Sequence, residues 1–155
     1  MLADLGAQML NVLIVEDDLT IAELLQETLE ADGYHVTGIA RTVSEALKLA
    51  KQTEPDIAVV DIGLANGDSG TDVGRYLRQE TSTRVLFSTG NSSDLSMMNA
   101  CGDAVMTKPY RLTDVGRGLE IIDELARLGR TRLPLPPNFR LLAPAILQTE
   151  ISGNA

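Results

Sequence analysis

Residues 12–18 read Val12-Leu13-Ile14-Val15-Glu16-Asp17-Asp18, four unbroken aliphatic residues followed by three acids. An apolar run this short, with no polar alternation, suits a strand buried on both faces of a parallel sheet. The pattern returns at Ile57-Ala58-Val59-Val60 before Asp61, at Val85-Leu86-Phe87 before Ser88-Thr89-Gly90, and at Ala104-Val105-Met106 before Thr107-Lys108-Pro109. A further run, Tyr34-His35-Val36-Thr37-Gly38-Ile39, mixes polar and apolar residues and reads as a less buried edge strand. Between the runs lie helical patterns. Ile21, Leu24, Leu25, Thr28 and Leu29 share one face, closed by Gly33. Val43, Ala46, Leu47 and Ala50 repeat it, and Thr42 with Glu45 has capping-box spacing. Val73, Tyr76 and Leu77 mark a third helix, and Val115, Leu119, Ile122 and Ala126 a last one to about Leu128. Any helix near 92–99 should be short or irregular. Strand–helix alternation five times over predicts an α/β fold, a doubly wound five-stranded parallel sheet.

Composition narrows the function. The chain has 155 residues, a formal net charge of −9 and a single cysteine, Cys101. That length suits one domain with an appendage. Lacking a long apolar run or a basic-then-apolar start, the chain is expected to be cytoplasmic, with no membrane span and no secretory signal. One cysteine excludes an internal disulfide and a cysteine metal cluster, and the acidic balance argues against DNA binding. The charge is uneven. Residues 130–155 carry three arginines against Glu150, a net of +2, which leaves −11 on residues 1–129. Pro134, Pro136, Pro137 and Pro144 cluster in the same segment. The reading is a leader over 1–10, a domain over 11–129 and an irregular, Pro-rich apolar tail over 130–155 without an output domain. The tail either packs on its own domain or docks on a second subunit or partner. Ile121, Leu125 and Leu128 flank the core stripe of the last helix, so a homodimer through that helix and the tail stays open.

In open α/β sheets, ligands sit outside the carboxyl ends of the strands. Those ends supply Glu16, Asp17 and Asp18, then Asp61, then Ser88 and Thr89, then Thr107, Lys108 and Pro109. Carboxylates gathered at one edge repel unless a cation joins them. A few hard carboxylates with room for water suit Mg²⁺. A metal and a lysine together favour phosphoryl transfer, with Asp61 as nucleophile and Thr89 as hydrogen-bond donor to a phosphoryl oxygen. Taken singly, Asp18 reads as a helix N-cap, Thr89 as a loop hydroxyl and Lys108 as a surface charge. It is their joint placement at successive strand ends that points to a site.

The segments Leu13-Ile14-Val15-Glu16-Asp17, Pro55-Asp56 leading to Val59-Val60-Asp61, Ser69-Gly70, Ser88-Thr89-Gly90 and Lys108-Pro109-Tyr110 resemble the receiver domain of two-component response regulators, over about residues 11–128. The resemblance implies a flavodoxin-like receiver fold. It implies that Asp61 accepts a phosphoryl group from a sensor histidine kinase. It also implies Mg²⁺ held by Asp17 directly, Glu16 through water, Asp61 and the Gly63 carbonyl, and a cis Lys108–Pro109 bond. Thr89 and Lys108 match the phosphate-sensing pair. The block Phe87-Ser88-Thr89-Gly90 is similar to the Phe-Ala-Thr-Gly block of an alphaproteobacterial subgroup. Three departures stand out: Val105 replaces the usual aromatic three residues before the lysine, the loop 62–70 is longer than typical, and the stretch from Thr89 to Lys108 is shorter.

The expectation is a single-domain response regulator that signals by protein contact, with a histidine kinase and a phosphotransfer protein or downstream target as partners. Its chemistry would be confined to its own Asp61, so it is not expected to be an enzyme. Two rivals remain. One is an aspartyl-phosphate phosphatase-like enzyme, although Gly63 stands where such enzymes place a second acid. The other is a receiver-like module that binds partners without phosphorylation.

Overall fold

The computed structural model describes residues 9–90 and 95–142; most of the expected leader, residues 91–94 and the end of the expected tail (143–155) lie outside the described residues. The five expected parallel strands are β1 (Asn11–Val15), β2 (His35–Ala40), β3 (Ile57–Asp61), β4 (Arg84–Thr89) and β5 (Ala104–Thr107). They alternate with α1 (Leu19–Ala31), α2 (Val43–Thr53), α3 (Gly70–Glu80), α4 (Leu95–Cys101) and α5 (Leu112–Leu128). The sheet order is β2-β1-β3-β4-β5-β6. The mixed run is indeed the edge strand, and the short polar stretch before β5 yields only the two-turn α4.

Period-two alternation divides the strands between two cores. Val12, Ile14, Ile57, Val59, Leu86, Ala104 and Met106 face α1 and α5. Leu13, Val15, Ala58, Val60, Val85, Phe87 and Val105 face α2, α3 and α4. The helix starts follow the capping chemistry. Asp18 accepts the N–H groups of Thr20 and Ile21 at 3.0 and 3.2 Å. Thr42 Oγ1 accepts the Glu45 N–H at 3.1 Å, while Glu45 reaches back to the Arg41 N–H at 2.8 Å, one residue before the position a capping box would use.

Three expectations are corrected. First, the sheet has six strands. β6 (Phe139–Leu141) pairs antiparallel with β5, within the segment read as an irregular tail. Phe139 and Leu141 turn to the α1/α5 core and Leu142 is buried in the other, so this segment packs on its own domain. Second, Ile21 and Leu24 do not belong to the core stripe of α1; they are 38% and 49% exposed. The buried stripe is Ala22, Leu25 and Leu29, the face that joins the α1/α5 core. Third, Ile121 is fully buried and Ala126 is exposed, so the α5 core face is turned slightly from the expected one.

The start of α3 lies against the end of β3. The Gly70 N–H donates to the Ile62 carbonyl at 2.9 Å. A Cβ at Gly70 would collide with the Asp61 carbonyl oxygen and stand 2.8 Å from Val60 Cγ1. Gly63 has open space at the same point. Gly70→Ala should therefore cost about 2–3 kcal/mol in urea denaturation, and Gly63→Ala less than about 0.5 kcal/mol. Equal midpoints for the two variants would contradict this close approach.

Candidate functional site

Parallel pairing brings the strand ends together. The registers Val15↔Val60, Asp61↔Ser88 and Thr89↔Thr107 put the residues that follow β1, end β3 and β4 and follow β5 along one edge. Lys108 Nζ donates to Asp61 Oδ2 at 3.1 Å, and the Gly63 N–H donates to Asp61 Oδ1 at 3.1 Å. Glu16, Asp17 and Asp61 each offer a carboxylate oxygen, and these oxygens lie within 4.8 Å of one another. Glu16 and Asp61 are each only 6% exposed. Asp17 is half-buried and open to the edge.

So much negative charge in so little water perturbs titration. Burial, the largest cause, pushes the Glu16 carboxyl up to about 7; the carboxylates of Asp61 and Asp17 add to the rise. The Asp18 N–H, which donates to Glu16 Oε2 at 3.1 Å, and the Lys108 ammonium oppose it. Burial by itself would lower Lys108, but Asp61 and Glu16 together outweigh it and hold the ammonium above its usual range. Hard oxygen donors this close, with an ammonium beside them, fit a divalent cation that keeps part of its water. They also fit the oxygens of a phosphoryl group, which the cation and the ammonium would neutralise together.

The remaining expected residues fall into place around this cluster. Thr89 is buried at the end of β4, and its carbonyl accepts the Lys108 backbone N–H at 2.8 Å. The Lys108–Pro109 peptide is cis. Asp18 is spent on capping α1. The loop after Asp61 is closed by a bridge between Gly63 and Ser69 and contains a 3-10 turn at Ala65–Gly67. Asp68 ties that loop to the start of α2 by accepting the Val43 N–H at 3.0 Å. Val105 is 2% exposed within the core on the α2/α3/α4 side, where an aliphatic side chain has no polar tip to swing between core and surface.

Three contributors escaped the sequence reading. Tyr110 places its hydroxyl 2.6 Å from Ser88 Oγ, behind Lys108, and burial pushes the phenol up. Arg41 donates from Nε to the Asp17 carbonyl at 3.1 Å and fixes that turn. Asn138, just before β6, donates from Nδ2 to the Pro109 carbonyl at 2.7 Å. The first was readable in principle as a tyrosine beside the lysine. The other two depend on contacts across 24 and 29 residues.

Residues 12–120 match the family model described as response regulator receiver domain. The KDP operon transcriptional regulatory protein of Escherichia coli is 33% identical over 131 residues, which is 83% of this chain and 56% of that protein. The response regulator TrrA from Thermotoga maritima, solved in complex with Mg²⁺-BeF, superposes with a TM-score of 0.65 at 28% identity, over 74% of this chain and 99% of that one. A two-component response regulator of the LuxR family from Aurantimonas sp. shares the fold with a TM-score of 0.69 at 24% identity, over 95% of this chain and 98% of that one. The chain spans about half the length of the curated relatives it matches. The strand order, the carboxylates at the carboxyl edge and the family match agree: this chain belongs to the receiver domain family of two-component response regulators.

Proposed function

We propose that this chain is a phosphoryl-accepting receiver: a sensor histidine kinase donates to Asp61 with Mg²⁺ bound, and the phosphorylated state is read by contact with another protein. The observation that carries this reading is the Asp61 carboxylate held 3.1 Å from the Lys108 ammonium, with Glu16 and Asp17 oxygens within reach of the same point. Asp17, Asp61 and the Gly63 carbonyl would hold the cation directly, and Glu16 through water. When bound, the cation supplies positive charge against the phosphoryl oxygens. The TrrA structure in complex with Mg²⁺-BeF supports this assignment from within the family.

In the transfer, an Asp61 carboxylate oxygen forms a bond to phosphorus. The P–N bond of the donor phosphohistidine breaks, and the imidazole leaves with the electron pair and takes up a proton. Lys108 donates to the Asp61 carboxylate at 3.1 Å, and attack by a carboxylate oxygen requires no general base. Lys108 then exchanges a carboxylate partner for a phosphoryl oxygen, and the Thr89 hydroxyl donates to another. Hydrolysis of the acyl phosphate by water restores Asp61, so the chemistry stays on the chain's own side chain. The readout differs from that of receivers with an aromatic at the position of Val105, since Val105 has no ring to turn.

Incubated with a phosphohistidine donor and Mg²⁺, the wild-type chain should be labelled and Asp61→Asn should not; labelling of the variant at the wild-type level would sink the assignment. Chelation with EDTA should abolish labelling as well.

Glu16 gives a pH test. Its folded carboxyl, near 7, lies above the ordinary value of 4.5. The metal-free native state therefore binds more protons than the unfolded chain between those values. The contribution of this group to stability falls as pH rises through that window. Glu16→Gln should stabilise the metal-free protein by about 1–2 kcal/mol near pH 8 and much less near pH 5. A variant less stable than wild type at the higher pH would show that the ionised carboxylate is not strained there.

A further inference from the structure

The family match ends at residue 120, yet the chain beyond it returns to the site. Lys108 lies between two residues that both bond to Asn138. The Thr107 N–H donates to the Asn138 carbonyl at 3.0 Å, and Asn138 Nδ2 donates to the Pro109 carbonyl at 2.7 Å. On the other side, the Lys108 N–H donates to the Thr89 carbonyl at 2.8 Å, and its ammonium reaches Asp61. The lysine backbone is thus clasped between β4 and the residue that opens β6.

The clasp is itself anchored. Asn138 has φ +62°, a left-handed conformation that asparagine and glycine adopt more readily than other residues. Pro136 is buried before it, and its carbonyl accepts the Phe139 N–H at 3.3 Å. Phe139 then packs against Gly118 of α5, and the Leu142 N–H donates to the Asp103 carbonyl at 3.0 Å. Next to this junction lies a cavity of about 390 Å³ lined by Pro109, Tyr110, Arg111, Asp114, Pro137 and Asn138. The Pro109 loop therefore has space on that side, and its restraint there is the Asn138 amide.

We propose that Asn138 is a positioning residue for Lys108, so that the segment 130–142 is a working part of the phosphoryl site. This inference rests on the reading of Asp61 as phosphoacceptor. In its favour, both residues flanking the lysine, Thr107 through its N–H and Pro109 through its carbonyl, are bonded to one residue outside the family match. When the lysine follows a phosphoryl oxygen, its loop must move or stiffen against that residue. The coupling runs both ways, since whatever perturbs β6 shifts the lysine and whatever engages the lysine changes β6.

The test compares full-length Asn138→Gly and Asn138→Asp with wild type, using phosphoramidate as donor so that no kinase contact enters. Glycine keeps the left-handed backbone and deletes the amide; aspartate keeps the size and turns a donor into an acceptor facing the Pro109 carbonyl. Both should lower the labelling rate at saturating Mg²⁺ about fivefold or more, the equivalent of one hydrogen bond. Mg²⁺ affinity should stay unchanged, because the cation ligands lie at the ends of β1 and β3. Leu135→Ala, an exposed change in the same segment, should label like wild type. A wild-type rate in Asn138→Gly overturns the proposal.

If a substitution loosens the whole strand, seen as lost hydrogen-exchange protection at the Leu142 amide, a second arm decides. In the wild-type chain, Mg²⁺ with fluoroberyllate should slow exchange of the Thr107 amide about fivefold or more, and this slowing should vanish in Lys108→Gln. Unchanged exchange at Thr107 overturns the proposal. A wild-type chain that neither labels nor binds fluoroberyllate overturns the phosphoacceptor reading instead.

Discussion

The ion pair between Lys108 and Asp61 answers a constraint that the fold itself creates. A parallel sheet ends all its strands at one edge, and this chain places acids after β1 and at the end of β3. Carboxylates so close repel, and burial, with Asp61 and Asp17 adding to it, pushes the Glu16 carboxyl up to about 7. Lys108 relieves part of that repulsion from the end of β5. The surrounding architecture serves this balance. Gly70 lets α3 begin against the Asp61 carbonyl, Asp68 ties the loop after Asp61 to α2, and Arg41 fixes the Asp17 turn. Carboxylates held this close offer hard oxygen ligands to a cation, which is the basis of the phosphoryl chemistry proposed above.

The second feature of the molecule is the closed outer edge of β5. An open edge strand exposes unpaired backbone groups. Here β6 covers it, with Phe139 and Leu141 in one core and Leu142, just past the strand, in the other. The same strand meets the Lys108 loop through Asn138. With Val105 buried and aliphatic, side-chain rotation at that position offers no output. Backbone hydrogen bonds link Thr89 to Lys108 and Thr107 to Asn138, and the Ser88–Tyr110 hydrogen bond lies beside them.

What was legible in the sequence follows the range of the signals. Four unbroken apolar runs gave β1, β3, β4 and β5, because burial on both faces leaves no polar alternation, and the mixed run gave the edge strand β2. The site followed from one rule, that ligands sit past strand ends, and so Glu16, Asp17, Asp61, Thr89 and Lys108 could be named without contacts. The helix face of α1 was misread because spacing alone does not say which of two adjacent apolar stripes faces the sheet. The face that packs carries Ala22, where Ile21 and Leu24 looked the more apolar. β6 was hidden for another reason: three residues after four loop-forming positions carry no periodicity, and their strand conformation exists only because β5 offers an edge. Asn138 was invisible by the same logic, since its role depends on a partner 29 residues away.

The most direct measurement is chemical trapping of the acyl phosphate. The chain, treated with phosphoramidate and Mg²⁺, is reduced with borohydride, which converts an aspartyl phosphate to homoserine, and the position is read by peptide mass spectrometry. The account predicts homoserine at position 61 and intact aspartate at positions 17, 18 and 56. Reduction at any of those positions with Asp61 intact, or none anywhere, would contradict it.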